Sequence, residues 1–329
     1  MFKKLLSWLG FGKEKKALIK YGVMIIGAGS IGALKSNKLD HRGGENILTM
    51  AHAIDEHPQL ELCDIIDSNL PNSSGAWTKW GRGLYRVYES IKFYMLSNYV
   101  TPDIIYVGVP TSEHEKVMKE ILQLTPAPQL VICEKPFGED IAAARRIRNA
   151  YNKRNIPIMV NYQRRFDESV KEIKFDTTKI KKIVVTYTGD FKENCCHAID
   201  LFYKWFGDNL YANPGFLRVQ QTQSDNNFFT IDFHQIENDY SCFEFDIWTE
   251  KCRILYTEHG NKLIFIPVHD NGIYGNKQLS WDSQMIFKTH LNRALLSGME
   301  NAVQFLEGKA DLLSTSFNAI ETHKILGGI

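Results

Sequence analysis

The chain has no long apolar run, no Cys-x-x-Cys pair, no excess of charge, no internal repeat and no low-complexity linker. No apolar stretch is long enough to cross a bilayer as a helix. Thirty-nine basic residues balance 38 acidic ones for a net charge of +1. No global field would therefore draw nucleic acid, and none is expected as a partner. Cys63, Cys133, Cys195, Cys196, Cys242 and Cys252 are scattered without zinc-ligand spacing, so no metal is expected. Cys63 and Cys133 sit inside apolar segments, where a free thiol behaves as a small hydrophobe, and a reducing cytoplasm fits better than secretion.

What the chain does have is length for a large core, with two domains the natural expectation for 329 residues. Residues 1–20 form a basic amphipathic arm. Phe2, Leu5, Leu6 and Leu9 fall at helical spacing among Lys3, Lys4, Lys13, Lys15, Lys16 and Lys20. It is no signal peptide, because the apolar part is short and lacks a small-residue cleavage site. Three readings are open: peripheral contact with a membrane surface, an arm packed on the body or a second subunit, or a solvated tail.

From Tyr21 to Gln163 strand and helix signals alternate, which predicts a parallel α/β sheet. The apolar run Val23–Ile26 feeds Gly27-x-Gly29-x-x-Gly32 and then a helix. This is the pattern of a dinucleotide cradle. Gly27 permits the turn, Gly29 lets phosphate approach, and Gly32 lets the helix lie close on the sheet. Ser30 and Ile31 open that helix, and their N–H groups face the anion with the positive end of the helix dipole. A second strand, Leu60–Ile66, ends in Asp67, whose carboxylate would accept the adenosine ribose hydroxyls. Ser68 and Asn69 follow, with no arginine for a 2′-phosphate, so NAD is favoured over NADP. The separation from glycines to Asp67 is wider than the usual ~20 residues, and residues 37–46 read as an inserted loop. Residues 70–100 read as a second insertion, loaded with Trp77, Trp80, Tyr85, Tyr88, Phe93, Tyr94 and Tyr99. These aromatics must be buried against the body, a partner or the cofactor.

Further strands at 103–109, 130–133 and 157–161 end in Thr111, Lys135 and Asn161. In an open α/β sheet such ends line one crevice. Lys135, in Glu134-Lys135-Pro136, would hydrogen-bond a substrate oxygen and lower the pKa of a nearby alcohol. In the segment 193–207, Glu193, His197 and Asp200 fall within about 60° of one another on a helix. Ala198, Ile199, Phe202, Trp205 and Phe206 form the opposite face. The imidazole is thus flanked by two carboxylates, which predicts a raised pKa and a proton-transfer role. After Asp167 alternating strands follow at 180–188, 217–220, 228–233, 240–248, 253–256 and 262–266. They predict a largely antiparallel sheet with one wet face. Helices are expected at 285–307 and 312–326.

The glycine turn, Asp67, Pro110-Thr-Ser-Glu-His114, Glu134-Lys-Pro136, Asn161-Tyr-Gln-Arg-Arg-Phe-Asp167 and His197-Ala-Ile-Asp200 occur in an order that resembles the Gfo/Idh/MocA oxidoreductases. The resemblance covers residues 21–329. It implies an NAD-binding Rossmann domain at 21–163 and a substrate-binding and oligomerisation domain at 164–329. The second domain would have an open sheet, and the assembly would be a homodimer or homotetramer. It implies catalytic roles for Lys135 and His197, with Glu193 at a position more often Asp or Asn. Pro110, Thr111, His114, Glu134, Asn161 and Arg165 are placed near the cofactor, and Arg164, Glu193 and Asp200 near the substrate. The glycine-rich segment usual before the histidine is replaced by Asp190–Cys196, which suggests an unusual pocket. The expected activity is hydride transfer between NAD and a secondary alcohol of a sugar, sugar derivative or cyclitol. Two alternatives stay open: an inactive NAD-binding sensor, and an internal-redox enzyme of epimerase or glycosidase type with tightly held NAD.

Overall fold

The computed structural model describes residues 21–329 apart from 83–85, 98, 172, 222–227, 238–239 and 274. The basic arm at 1–20 lies outside the described residues. No described helix is long and apolar enough to cross a membrane.

The N-terminal sheet is built from β1 (Tyr21–Ile26), β2 (Leu60–Ile66), β3 (Val87–Tyr88), β4 (Ile104–Val107), β5 (Leu130–Cys133) and β6 (Ile158–Val160). All pairings are parallel, in the order β3-β2-β1-β4-β5-β6. Helices cover both faces, so the central strands are buried throughout and read as nearly continuous apolar runs. The order reverses between β1 and β4. A ligand crevice opens at such a switch point, beyond the carboxyl ends of the strands.

The helix expected directly after the glycines is a single turn, in which the Gly29 carbonyl accepts from the N–H groups of Ala33 and Leu34 (both 2.9 Å). The chain then leaves and returns as α1 (Met50–Glu56). The Ile31 carbonyl accepts from Met50 N–H at 3.0 Å and that of Gly32 from Ala51 N–H at 2.9 Å. In an unbroken helix residues 35 and 36 would make those bonds. The insertion is therefore residues 35–49, wider than the 37–46 expected, spliced into a helix that otherwise continues in register. Buried Asp40 organises it. Its carboxylate accepts from Leu48 N–H (2.9 Å) and Thr49 Oγ1 (2.7 Å), and lies 2.7 Å from His52 Nδ1.

Residues 70–100 are not an insertion. They supply α2 (Leu70–Trp80), the edge strand β3 and α3 (Ile91–Met95), integral parts of the sheet. A two-residue strand shows no alternation, which hid it in the sequence. Trp80 donates from Nε1 to the Ala33 carbonyl (2.9 Å) and stacks on His52, so it packs on the spliced helix rather than over the cofactor.

The second sheet has nine strands among the described residues: β7 (Ile180–Tyr187), β8 (Leu210–Asn213), β9 (Phe216–Gln220), β10 (Phe228–Gln235), β11 (Phe243–Thr249), β12 (Cys252–Thr257), β13 (Lys262–Asn271), β14 (Asn276–Leu279) and β15 (Met285–Lys288). Only the β7–β10 pair is parallel. Buried and exposed positions alternate along β9, β10 and β11. The inner face packs on α6 (Phe191–Phe206), where Phe202 and Phe206 meet Phe245 and Phe229. In the connection between β6 and this sheet, a 3₁₀ turn (Gln163–Phe166) carries two arginines.

One expectation fails after β14. Residues 285–288 are a strand paired with β13, and the helix, α7, starts only at Ala294 and ends at Leu306. The final helix, α8, spans Ser316–Leu326. The last two helices also pack on the first sheet. Leu295, Met299, Ala302 and Val303 of α7 share a core with Ile25 and Ile65 of the first sheet, and Ala319 and Ile320 of α8 complete its other face. Periodicity shows that a helix has an apolar face but not which sheet will receive it.

Candidate active site

Gly27 leaves β1 with φ +92° and donates its N–H to the Ile66 carbonyl at 2.8 Å. A Cβ there would lie 2.6 Å from the Gly108 carbonyl carbon, and one on Gly32 would lie 2.1 Å from the Gly27 oxygen. Gly29 differs, since a Cβ there would meet nothing within 4 Å. It faces a cavity of about 760 Å³ lined by Gly27, Gly29, Asp67, Asn69, Gly108 and Pro110. The Asp67 carboxylate accepts from Ala28 N–H and from Asn69 N–H, both at 2.8 Å. It therefore fixes the end of β2 to the glycine loop and presents a negative group to the cavity. A gap only glycine leaves open, beside an acid at the next strand end, fits an adenine dinucleotide. Ser30 is exposed and Ile31 half-buried in the single turn after Gly29. Among the described residues no backbone partner takes up either N–H, which leaves both for an anion.

Pro110 precedes α4 (Thr111–Ile121) and lines the cavity. Thr111 is the first residue of that helix, whereas His114 is fully buried behind it. His114 donates from Nε2 to the Val109 carbonyl (3.0 Å), while its Nδ1 lies 3.6 Å from Cys133 Sγ. Burial holds its pKa below the usual value. Both ring nitrogens are engaged inside the protein, and His114 shapes the Val109–Pro110 turn.

At the end of β5, Glu134 is buried and Lys135 is not. Glu134 accepts from Tyr106 Oη at 2.8 Å and from Asn161 Nδ2 at 2.5 Å, and desolvation pushes its pKa up. Asn161 itself is pinned by its N–H on the Cys133 carbonyl (2.8 Å). Tyr106 was not foreseen as part of this cluster. The Lys135 ammonium donates to the Glu193 carbonyl at 2.9 Å and to Glu193 Oε2 at 3.3 Å. Glu193 sits in the first turn of α6, where the Asp190 carboxylate caps the helix by accepting Glu193 N–H (2.9 Å). His197 follows one turn later, its ring set edge-on between Tyr162 (centroids 6.2 Å apart) and Phe243 (6.4 Å).

The expected carboxylate flanks of His197 are otherwise occupied. Asp200 accepts from Arg165 Nε at 2.6 Å, and the same guanidinium donates to the Asp200 carbonyl (3.1 Å) and to Leu313 (3.3 Å). Arg165 and Asp200 are buried and paired with each other. Glu193 is taken by Lys135. What surrounds the imidazole is burial, then Arg164, then Lys135, and together they hold its pKa well below the ordinary value. The sequence predicted a rise; the structure gives a fall, because burial disfavours the charged ring and the Arg164 and Lys135 charges add to it. A neutral ring is the form that can accept a proton. Any step that uses this ring as a base is accordingly expected to show its acid limb below pH ~6.5. Arg164→Gln should move it upward by removing a positive neighbour. A limb at or above that pH in the parent protein would contradict this account of the site.

The Arg164 side chain stacks on Phe243 (4.2 Å to the ring centroid) and donates from Nη2 to the His259 carbonyl at 3.1 Å. Phe243 and His259 were invisible as site residues, since nothing local marks an aromatic on β11 or a turn carbonyl.

Comparison with known proteins agrees with this architecture. No curated protein sequence matches the chain. Among solved structures, a dehydrogenase (MviM) from Clostridium difficile superposes with a TM-score of 0.65 at 16% identity, covering 93% of this chain and 97% of that one. The WlbA dehydrogenase from Bordetella pertussis, solved with NADH and UDP-GlcNAcA, gives 0.64 at 16%, covering 94% and 95%. A mutant 3-ketoreductase from Actinomadura kijaniata, solved with TDP-benzene and NADP, gives 0.69 at 12%, covering 94% and 96%. At such identities the likeness is one of fold. The model of the GFO_IDH_MocA family, described as an oxidoreductase family with an NAD-binding Rossmann fold, matches residues 21–162. The sheet that carries Gly27, Asp67 and Lys135 is thus similar to the NAD-binding Rossmann fold of the Gfo/Idh/MocA oxidoreductases over residues 21–162.

Proposed function

We propose that the protein is an NAD-dependent oxidoreductase acting on a secondary alcohol of a sugar, sugar derivative or cyclitol. One observation carries this reading. Lys135 from β5 and His197 from α6 are drawn into one site through Glu193, which binds the ammonium and lies one turn before the imidazole. Bound NAD supplies the hydride acceptor. The Lys135 ammonium, half-sheltered and held at Glu193, donates to the substrate oxygen and stabilises its negative charge as the proton leaves. His197 Nδ1 is sealed from solvent and unpartnered among the described residues. That leaves Nε2, at the ring tip, to accept the hydroxyl proton. Glu134, braced by Tyr106 and Asn161, fixes the strand end that carries Lys135. NADH formation from NAD with a panel of sugars, sugar acids and cyclitols tests the activity. Failure to detect any hydride transfer, even in a single turnover of the protein–NAD complex, would sink it.

The same reading takes NAD rather than NADP as cofactor, supported by the Asp67 carboxylate in the cavity and the absence of an arginine after it. Asp67→Asn keeps an acceptor for the glycine loop but loses the charge. Charge-assisted hydrogen bonds contribute about 1.5–3 kcal/mol, so NAD affinity should fall about 10- to 100-fold while NADP is repelled less. An unchanged ratio of the two dissociation constants would count against Asp67 as the selector.

A further inference from the structure

We propose that the substrate is a sugar acid, and that Arg164 receives its carboxylate beside the reacting hydroxyl. This rests on the oxidoreductase reading above and names the substrate class for that site. The argument is one of charge and of unused hydrogen-bonding capacity. Around His197 four charged groups besides Arg164 are accounted for in pairs: Lys135 with Glu193 and Arg165 with Asp200. Arg164 has no carboxylate partner among the described residues. It meets the face of Phe243, one backbone carbonyl and the neutral Tyr256 hydroxyl, and its Nε is buried without a hydrogen bond. Beside it the hydroxyl of Tyr256 is buried and turned to the same guanidinium. A buried polar atom without a partner is uncommon and calls for an explanation, such as a missing ligand. The depressed basicity of His197 reports the same charge, since Arg164 is its largest charged cause.

The guanidinium is also held in place by costly backbone. The turn between β12 and β13 puts three consecutive residues in the left-handed region, Glu258 (φ +53°), His259 (+59°) and Gly260 (+93°). Two of them are not glycine, and such strain persists only where the surroundings enforce it. Here the His259 ring lies 2.7 Å from the Ser241 carbonyl, and Thr289 Oγ1 donates to the Gly260 carbonyl at 2.6 Å. A Cβ on Gly260 would fall 2.1 Å from Tyr256 Oη. The turn thus aims the His259 carbonyl at Arg164 Nη2 and packs Gly260 against Tyr256. A planar, stacked guanidinium with free N–H groups matches a carboxylate, which can accept two parallel bonds from it. A neutral hydroxyl could take one hydrogen bond but would leave the positive charge unbalanced.

The test is steady-state oxidation by NAD of matched pairs, D-glucuronate against D-glucose and D-galacturonate against D-galactose, with glucose 6-phosphate as the alternative anion. Parent, Arg164→Gln and Arg164→Lys proteins are compared, and NADH affinity is measured by fluorescence. The acids should exceed their neutral partners in kcat/KM by about 100-fold or more. Arg164→Gln should raise KM for the acid by a similar factor, with NADH affinity unchanged, and Arg164→Lys should recover only part. The proposal is overturned if a neutral sugar or the phosphate is used as well as the acid, or if Arg164→Gln leaves KM for the acid unaltered. If no pair turns over, binding of the acids to the NADH complex decides, and no response to any acid overturns it. Turnover of neutral sugars alone would end this proposal and leave the oxidoreductase reading standing. Loss of NADH binding in the parent protein would end the oxidoreductase reading itself.

Discussion

Lys135→Ala and His197→Ala should each lower kcat by about 10²- to 10⁴-fold, the range for losing an oxyanion donor or a positioned general base. NADH affinity should change little in either. The two side chains act on one event, the departure of the hydroxyl proton with charge gathering on oxygen. Their effects should therefore fail to add, and the double variant should be scarcely slower than the worse single one. Lys135→Ala also releases Glu193, whose carboxylate then faces His197 without its counter-charge. The acid limb of the residual activity should in consequence rise in that variant. Full turnover in both single variants would remove the mechanism, whatever substrate is used.

Arg165→Met is expected to be the most destabilising change near the site, without touching the chemistry. It strands the Asp200 carboxylate in the interior, and breaking a buried pair on one side typically costs about 3–5 kcal/mol. The double variant Arg165→Met, Asp200→Leu should regain most of that, because it leaves no uncompensated charge. Burial already raises the Asp200 pKa even with its partner present. Without Arg165 it would rise further. A group with a raised folded pKa stabilises below its unfolded value and loses that contribution as pH climbs through the folded one. The deficit of the single variant should thus widen as pH rises from about 4. Urea denaturation at several pH values checks both points. A single-variant loss under about 1 kcal/mol would show that the pair is not the buried tie described.

What could be read from the sequence, and what could not, divides along a physical line. Gly27, Gly29, Gly32 and Asp67 were legible because a strand, a turn and a strand-end acid are local patterns. Lys135 and Asn161 were legible as strand exits, and Glu193, His197 and Asp200 as one face of a helix. Which acid meets which cation was not. Lys135 and Glu193 are 58 residues apart and Arg165 and Asp200 are 35 apart, so the sign of the His197 shift depended on pairings that no local pattern encodes. β3 was missed because two residues carry no period. Met285–Lys288 reads as helix or strand alike, because an apolar run of four residues fits either period. The packing of α7 and α8 on the first sheet was hidden for a different reason. Amphipathicity names a buried face without naming the surface that buries it.

The splice at residues 35–49 separates two kinds of continuity. The turn at Gly29–Leu34 and the helix Met50–Glu56 are joined end to end by hydrogen bonds from Met50 and Ala51, not by the covalent chain. The excursion between them is fastened elsewhere, Ile47 donating its N–H to the Asn292 carbonyl and Asn292 Nδ2 to that of Glu45. A single protease nick in the exposed stretch around Gly43–Gly44 would therefore leave the phosphate-facing turn seated on its helix. The protein would behave as two fragments on a denaturing gel and as one folded body in solution.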